Sequence, residues 1–153
     1  MFSHVMVGSN DIERSKQFYD AVLKTLGVGE PFRNVAGSGH TRLFYRHDGG
    51  TFCVSEPING ETATCANGGT IGFKCNSPEQ VREFHDVAIA HGGTSIEEAP
   101  GLREGKMGAM HLATRMATSS ARFTVSSSSA WRLRPQAVEL RRTLHHMPDQ
   151  TRG

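Results

Sequence analysis

The chain is poor in the features that mark exported, membrane-spanning or disulfide-stabilised proteins. Its 153 residues include only three cysteines, none in a Cys-x-x-Cys spacing, so neither a disulfide framework nor a cysteine zinc site is indicated. No apolar run approaches the ~20 residues of a membrane span, and the N-terminus lacks a secretory pattern. We therefore expect a reduced, cytoplasmic protein without a membrane partner.

Positive charge is also scarce over most of the chain. Residues 1–115 hold 11 Lys and Arg against 13 Asp and Glu, a net charge of −2, whereas residues 116–153 hold six arginines against two acids, a net charge of +4. A nucleic-acid surface needs a basic face on the folded body. Because the body is mildly acidic, we expect no nucleic-acid partner.

What is present begins with a strand and an amphipathic helix. Residues 2–7 are β-rich, and strand alternation puts His4 and Met6 on one face. Asn10 is the predicted helix N-cap, with Glu13 three residues later in a capping-box pattern. Gly27 ends the helix. A hairpin then follows, because RLFYRH at 42–47 and TFCVSE at 51–56 flank an Asp-Gly-Gly turn.

The same pattern returns 66 residues later. Residues 70–75 predict a strand, Ser77 an N-cap and Gln80 its capping-box partner. Five positions are identical at this offset: Asn10/Asn76, Glu13/Glu79, Phe18/Phe84, Asp20/Asp86 and Gly27/Gly93. The repeat predicts a duplicated β-α-β-β-type unit. We divide residues 1–115 into module one (1–58), a linker (57–68) and a truncated module two (69–115).

The tail at 116–153 differs from the rest in being rich in Ser and Arg, with no alternation where the second hairpin needs its return strand. One base inserted before the codon of Met116 permits the reading Asp-Gly-Asn-Leu-Phe-Cys-Ala-Leu-His, which resembles the turn and strand of module one at 48–55. We interpret the tail as frameshift-derived and poorly ordered. The alternative is a Ser-rich linker followed by a short basic helix at about 135–147.

The opening HVMVGSNDIERSKQFYDAVLKTLGV and its repeat at 70–93 resemble the vicinal-oxygen-chelate superfamily, which includes glyoxalases, bleomycin-resistance proteins and extradiol dioxygenases. The resemblance implies an α+β fold in which two βαβββ modules form a curved mixed sheet around a pocket, with helices outside. The second module would be incomplete, because its return strand is missing. The family also implies a homodimer.

The resemblance also implies site residues. His4 fits the first-strand metal-ligand position, and Glu56 lies near the late-strand position. Thr70 stands where a second histidine would, so only two of four ligand positions are filled. The implied ion is divalent (Ni, Zn, Fe or Mn). The implied pocket residues are Met6, Phe52, Val54, Thr70, Lys74 and His111.

Each of these residues has a plainer interpretation. His4 can be a hydrogen-bonded interior histidine, and Glu56 a solvated strand end. His111 can lie on the surface of its strand, and Lys74 at a solvated strand edge. The cysteines fit small core residues better than nucleophiles. No residue is assigned as catalytic.

Two functions from different classes follow from the resemblance. The first is a glyoxalase-like lyase or isomerase, related to lactoylglutathione lyase, that acts on a small oxygenated or glutathione-conjugated metabolite. The second is a metal-free protein of the bleomycin-resistance kind, which sequesters a small molecule. A third interpretation is a non-functional frameshifted copy.

Overall fold

The computed structural model describes residues 2–96, 98–104, 110–117 and 122–127, and from residue 102 onward it describes the backbone alone. These residues form two helices and nine strands, in an order that begins with a strand and a helix and then starts again at Ile71. Among the described residues, neither helix is long and apolar enough to cross a membrane.

The first module is a four-stranded sheet with one helix. Its elements are β1 (Val5–Gly8), α1 (Ile12–Lys24), β2 (Phe32–Val35), β3 (Thr41–His47) and β4 (Gly50–Ser55). The strand order is β1-β4-β3-β2, with β1 parallel to β4 and the other pairs antiparallel. A parallel β1–β4 pair needs a long connection, which α1 and the hairpin supply.

The second module repeats this plan. Its elements are β5 (Ile71–Cys75), α2 (Pro78–Ala90), β6 (Thr94–Ser95), β7 (Gly101–Glu104), β8 (Met110–Ala117) and β9 (Arg122–Ser127). The strand order is β5-β9-β8-β6, and β7 also pairs with β8. The two helices begin 66 residues apart, at Ile12 and Pro78, as the repeat in the sequence predicts. The α+β class and the duplicated module are therefore confirmed.

The strands differ from the expected arrangement in two ways. They form two sheets, one in each module, rather than a single curved sheet. The second module also has the return strand that the sequence seemed to omit, because β9 pairs in parallel with β5 and antiparallel with β8. Tail backbone therefore occupies the place that β4 occupies in the first module. The rest of the tail, 118–121 and 128–153, lies outside the described residues.

One apolar core joins the two modules. An aromatic series runs from Tyr19 to Phe52 (4.9 Å between ring centroids), on to Phe73 (5.3 Å) and then to Phe84 (5.8 Å). The side-chain amide of Gln80 donates to the carbonyl of Thr25 at 2.8 Å, which links the start of α2 to the end of α1. Burying these rings from both modules stabilises their contact.

The helix caps differ between the modules. Ser77 caps α2 as predicted, since its hydroxyl accepts from the Gln80 N–H at 3.2 Å. In α1 the cap is Asp11, whose carboxylate accepts from the Arg14 N–H at 3.0 Å, and the prediction of Asn10 is wrong. Asn10 lies one residue before the true N-cap. Its side chain forms hydrogen bonds with Ala63, in the loop after β4, and not with the start of the helix.

Candidate functional site

The face of the first sheet turned away from α1 is open. Leu43, Tyr45 and Val54 pack into the core on the helix side, so alternation puts their strand neighbours on the opposite face. A row of side chains from all four strands crosses that face in register: Met6, Cys53, Phe44 and Phe32. We call this set the apolar row. Met6 is 43% exposed and Phe32 is 59% exposed, so the two ends of the row are accessible from solvent, whereas Cys53 between them is buried.

A cavity of about 400 Å³ opens beside the apolar row, where β1 and β4 end and β3 begins. We call it the first cavity. Strand residues form one side of it, among them Met6, Gly8, Arg42 and Ser55. Loops before β3 and after β4 form the remainder, with Ala36, Ser38, His40, Glu56, Pro57, Ile58, Ala63 and Thr64. The lining therefore mixes apolar surface with a few polar groups, as small-molecule sites do.

Arg42 supplies the cation of the first cavity. Its Nη2 donates to Asn34 Oδ1 on the neighbouring strand at 2.9 Å, which fixes the guanidinium plane. Its Nε is buried and has no hydrogen-bond partner among the described residues. Within the same part of the chain Arg42 forms no ion pair with a carboxylate. A partly buried guanidinium with unused donors favours an oxygen-rich ligand.

Glu56 and His40 are titratable residues in the loops that line the first cavity. The backbone N–H of Thr41 donates to Glu56 Oε2 at 2.6 Å, and the N–H of Glu56 donates to the Thr41 carbonyl at 3.0 Å. These two bonds hold the carboxylate at the start of β3. His40 Nδ1 lies 2.9 Å from the hydroxyl of Ser38. A carboxylate and an imidazole therefore border one small cavity.

The loop wall is fastened to the first strand. Asn10 donates from Nδ2 to the Ala63 carbonyl at 3.0 Å and accepts from the Ala63 N–H at 2.6 Å. A Cβ placed on Gly8 would lie 2.8 Å from the Ala63 Cβ, closer than two methyl groups can approach. Gly8 is therefore required for the wall to approach β1 so closely.

A second cavity, of about 310 Å³, lies at the junction of the two modules. Its apolar side includes Leu26, Phe52, Ile71 and Phe73, and Lys74 lies on its polar side. The sequence interpretation placed Phe52 and Lys74 in the same pocket as Met6. The structure instead divides them between the two cavities.

Two of the three remaining predicted pocket residues, Val54 and Thr70, are not among the described residues that line either cavity. Val54 is wrong as a pocket residue, because it is fully buried in the core beneath α1. Thr70 is exposed just before β5 and borders neither of these two cavities. His111 lies on β8, where only the backbone is described, so its assignment stays a prediction.

The structure does not bring His4 and Glu56 together. In the parallel pair β1–β4, Val5 is opposite Phe52, so His4 is level with Thr51, five residues before Glu56. Five residues of strand span roughly 16 Å, whereas two ligands of one ion hold their donor atoms within about 4 Å of each other. The expectation that both residues reach one cavity is therefore wrong.

Within the part of the chain whose side chains are described, the donor set does not fit the implied divalent metal. His4 is exposed, and its Nδ1 lies 3.0 Å from the Ser3 hydroxyl. One carboxylate oxygen of Glu56 is already bound to backbone. Among the residues that the structure describes, no three His, Cys, Asp or Glu side chains converge in a metal-binding group.

The buried cysteines are poor nucleophiles. Burial raises the pKa of the Cys53 thiol, although the charges of Arg42 and Arg46 oppose this effect. Burial alone raises the pKa of Cys75 to about 11. Both thiols are therefore protonated at neutral pH, which agrees with their interpretation as small core residues.

The sequence interpretation missed Arg42, His40, Ser55 and Asn10. A signal for Arg42 was available, because alternation in RLFYRH separates Leu43 and Tyr45 from Arg42 and Phe44. The role of Asn10 depends on its hydrogen bonds with Ala63, 53 residues later, which no local pattern encodes.

Solved structures with a similar architecture include glyoxalase/bleomycin resistance proteins. A glyoxalase/bleomycin resistance protein from Albidiferax ferrireducens T118 is 47% identical, with a TM-score of 0.75 over 83% of this chain and 98% of that chain. A glyoxalase-related enzyme from Fulvimarina pelagi is 16% identical, with a TM-score of 0.61 over 83% of this chain and 87% of that chain. At the second level of identity the likeness concerns the fold alone.

A further neighbour was solved with ligands. A mutant of the fosfomycin resistance protein FosX from Listeria monocytogenes, in complex with Mn(II) and 1S,2S-dihydroxypropylphosphonic acid, is 16% identical. Its TM-score is 0.60 over 84% of this chain and 93% of that chain. No protein-family model and no curated protein matches this chain.

Together these findings define an α+β protein of a class whose members bind or convert small molecules. The chain belongs to the glyoxalase/bleomycin-resistance/dioxygenase family of the vicinal-oxygen-chelate superfamily. The 47% identity to the Albidiferax ferrireducens protein carries that assignment, and the fold-level neighbours agree with it.

Proposed function

We propose that this protein binds a small oxygenated metabolite in the first cavity without a metal ion held by His4 and Glu56. The observation that carries the proposal is the cavity of about 400 Å³ in which Arg42 lies beside apolar surface. A volume of this size suits a small molecule. The separation of His4 from Glu56 along the sheet supports binding that needs no ion between them.

Thermal unfolding tests this proposal with a panel of small oxygenated metabolites, each measured with and without EDTA. A ligand present at 100 times its Kd stabilises the folded protein by about 2.7 kcal/mol. We expect at least one metabolite to raise the melting temperature by the same amount in both conditions. A shift that EDTA removes, or no shift for any compound, would contradict the proposal.

A second candidate is a lyase or isomerase of the glyoxalase kind, acting on a glutathione conjugate with a divalent ion. The observation in its favour is that Glu56 and His40 border the same cavity, since such a pair can act as general base and acid. Turnover of a hemithioacetal, measured with and without added Ni²⁺ or Zn²⁺, separates the candidates. Metal-stimulated turnover would replace the first proposal by the second.

A further inference from the structure

Arg42 has hydrogen-bond donors without a partner, and no carboxylate within 4 Å, among the described residues. Asn34 engages one of its nitrogens, and the buried Nε lacks a partner there. A guanidinium presents five donors in a planar fork that matches a carboxylate or a phosphonate. Leaving buried donors unpaired costs free energy, which a bound oxyanion recovers.

An apolar surface lies next to this cation. Phe44 is two residues after Arg42 on β3, on the same face, and its ring centroid lies 6.3 Å from that of Phe32. Two residues along a strand span roughly 6.6 Å, about the length of a benzene ring with one substituent. Met6 belongs to the apolar row and also lines the first cavity, and it is 43% exposed.

Glu56 limits the total charge of the ligand. Its carboxylate lines the same cavity as Arg42 without forming an ion pair with it. A second anionic group on the ligand would therefore be repelled, whereas a hydroxyl would find an acceptor.

We propose that the ligand of the first cavity is a small amphiphilic monoanion. Its oxyanion group, a carboxylate or a phosphonate, binds to Arg42, and its apolar part lies on Met6, where the first cavity meets the apolar row. This inference rests on the proposed function and narrows its substrate class.

Four probe molecules test the inference with the full-length protein, by NMR titration at a mildly acidic pH at which benzoate is ionised and phenylphosphonate is mainly a monoanion. Benzoate has both features, benzamide lacks the charge, acetate lacks the apolar part, and phenylphosphonate replaces the carboxylate. We expect benzoate or phenylphosphonate to bind with a Kd about tenfold or more below those of benzamide and acetate, as expected for a hydrogen bond to a charged group. The better of the two identifies the oxyanion.

Arg46 provides the matched control. It lies on the same strand and the same face as Arg42 but is exposed and does not line the first cavity. We expect Arg42→Gln to abolish the preference for the anion and Arg46→Gln to retain it. Arg42→Lys keeps the positive charge but lacks the planar pair of donors, so we expect it to retain part of the preference for the anionic probes. This variant serves as the test if Arg42→Gln fails to fold.

Equal affinity for benzamide and benzoate would overturn the inference, as would equal losses from Arg42→Gln and Arg46→Gln. Absence of binding by all four probes would overturn it too. If metabolites of the panel nevertheless stabilise the protein in EDTA, the proposed function stands and only the monoanionic class is wrong.

Discussion

Gly8 sits where the first strand touches the loop that closes the first cavity. A methyl group there would lie 2.8 Å from the Cβ of Ala63, whose backbone N–H and C=O each form a hydrogen bond with the Asn10 side chain. The loop therefore cannot move aside without breaking those bonds. The close approach makes Gly8 a structural requirement of the site.

We predict that Gly8→Ala destabilises the protein by about 1–3 kcal/mol, as overpacking does, and weakens ligand binding. Urea unfolding and ligand titration measure the two effects. Gly72→Ala on β5 is the matched control, because a Cβ there meets no atom within 4 Å. Equal effects of the two substitutions would show that the contact with Ala63 is not restrictive.

At the scale of elements, a partly buried hydrogen bond joins α1 and β3. The Tyr45 hydroxyl donates to Asp20 Oδ1 at 2.8 Å, and the other oxygen of Asp20 pairs with Lys16. Burial, and then the bond to Asp20, raises the pKa of Tyr45 well above its ordinary value. The phenol therefore stays protonated in the folded state at a pH where the unfolded chain ionises.

The sign of the resulting pH effect follows from linkage. Because its folded-state pKa is raised, Tyr45 contributes stability that is fully present below about pH 10 and is lost as the pH rises further. We predict that Tyr45→Phe costs about 1–3 kcal/mol at pH 7 and reduces the loss of stability above pH 10. Urea unfolding of both proteins from pH 7 to 11 measures this. Parallel declines would contradict the assignment.

The two helices were predictable because their signals are local. The Ser77 cap and the 66-residue offset of α1 and α2 follow from residues within a few positions of each element. The exposed face of β4 was not predictable in the same way. Alternation separates Phe52 and Val54 from Cys53 but does not say which set the helix covers. Packing of Phe52 on Tyr19, at 4.9 Å between ring centroids, decides it.

The prediction that His4 and Glu56 share a metal site is wrong for a related reason. His4 and Glu56 match family positions in the sequence, but their separation depends on the register of β1 with β4, which is a tertiary property. A shift of register by even one residue changes every cross-strand neighbour. Pairing Val5 with Phe52 puts the two residues at opposite ends of the strand pair.

At the scale of the whole molecule, the tail differs from module one in how many residues connect its strand to the one before it. The frameshift interpretation places an Asp-Gly-Asn turn directly after Arg115, whereas the chain continues β8 to Ala117 and begins β9 at Arg122. In module one the corresponding turn between β3 and β4 contains only Asp48 and Gly49. The tail therefore forms a longer connection to its strand than the first module does.

We predict that restoring the reading frame before codon 116 raises the melting temperature and the solubility, since a short turn closes the hairpin at lower entropic cost. Differential scanning fluorimetry of the two proteins, purified alike, measures the change. No change, or a clean reading frame for the present tail in related genes, would count against the frameshift. The homodimer expected from the family remains a prediction for light scattering of the same samples.

The most direct test of the account maps where a ligand binds. We expect a compound that stabilises the protein to shift the methyl NMR signals of Met6, Ile58 and Ala63, which line the first cavity, in the presence of EDTA. The methyl signals of Ile71 and Leu26, in the second cavity, should stay in place. Shifts confined to Ile71 and Leu26, or shifts at Met6 that EDTA abolishes, would contradict metal-independent binding in the first cavity.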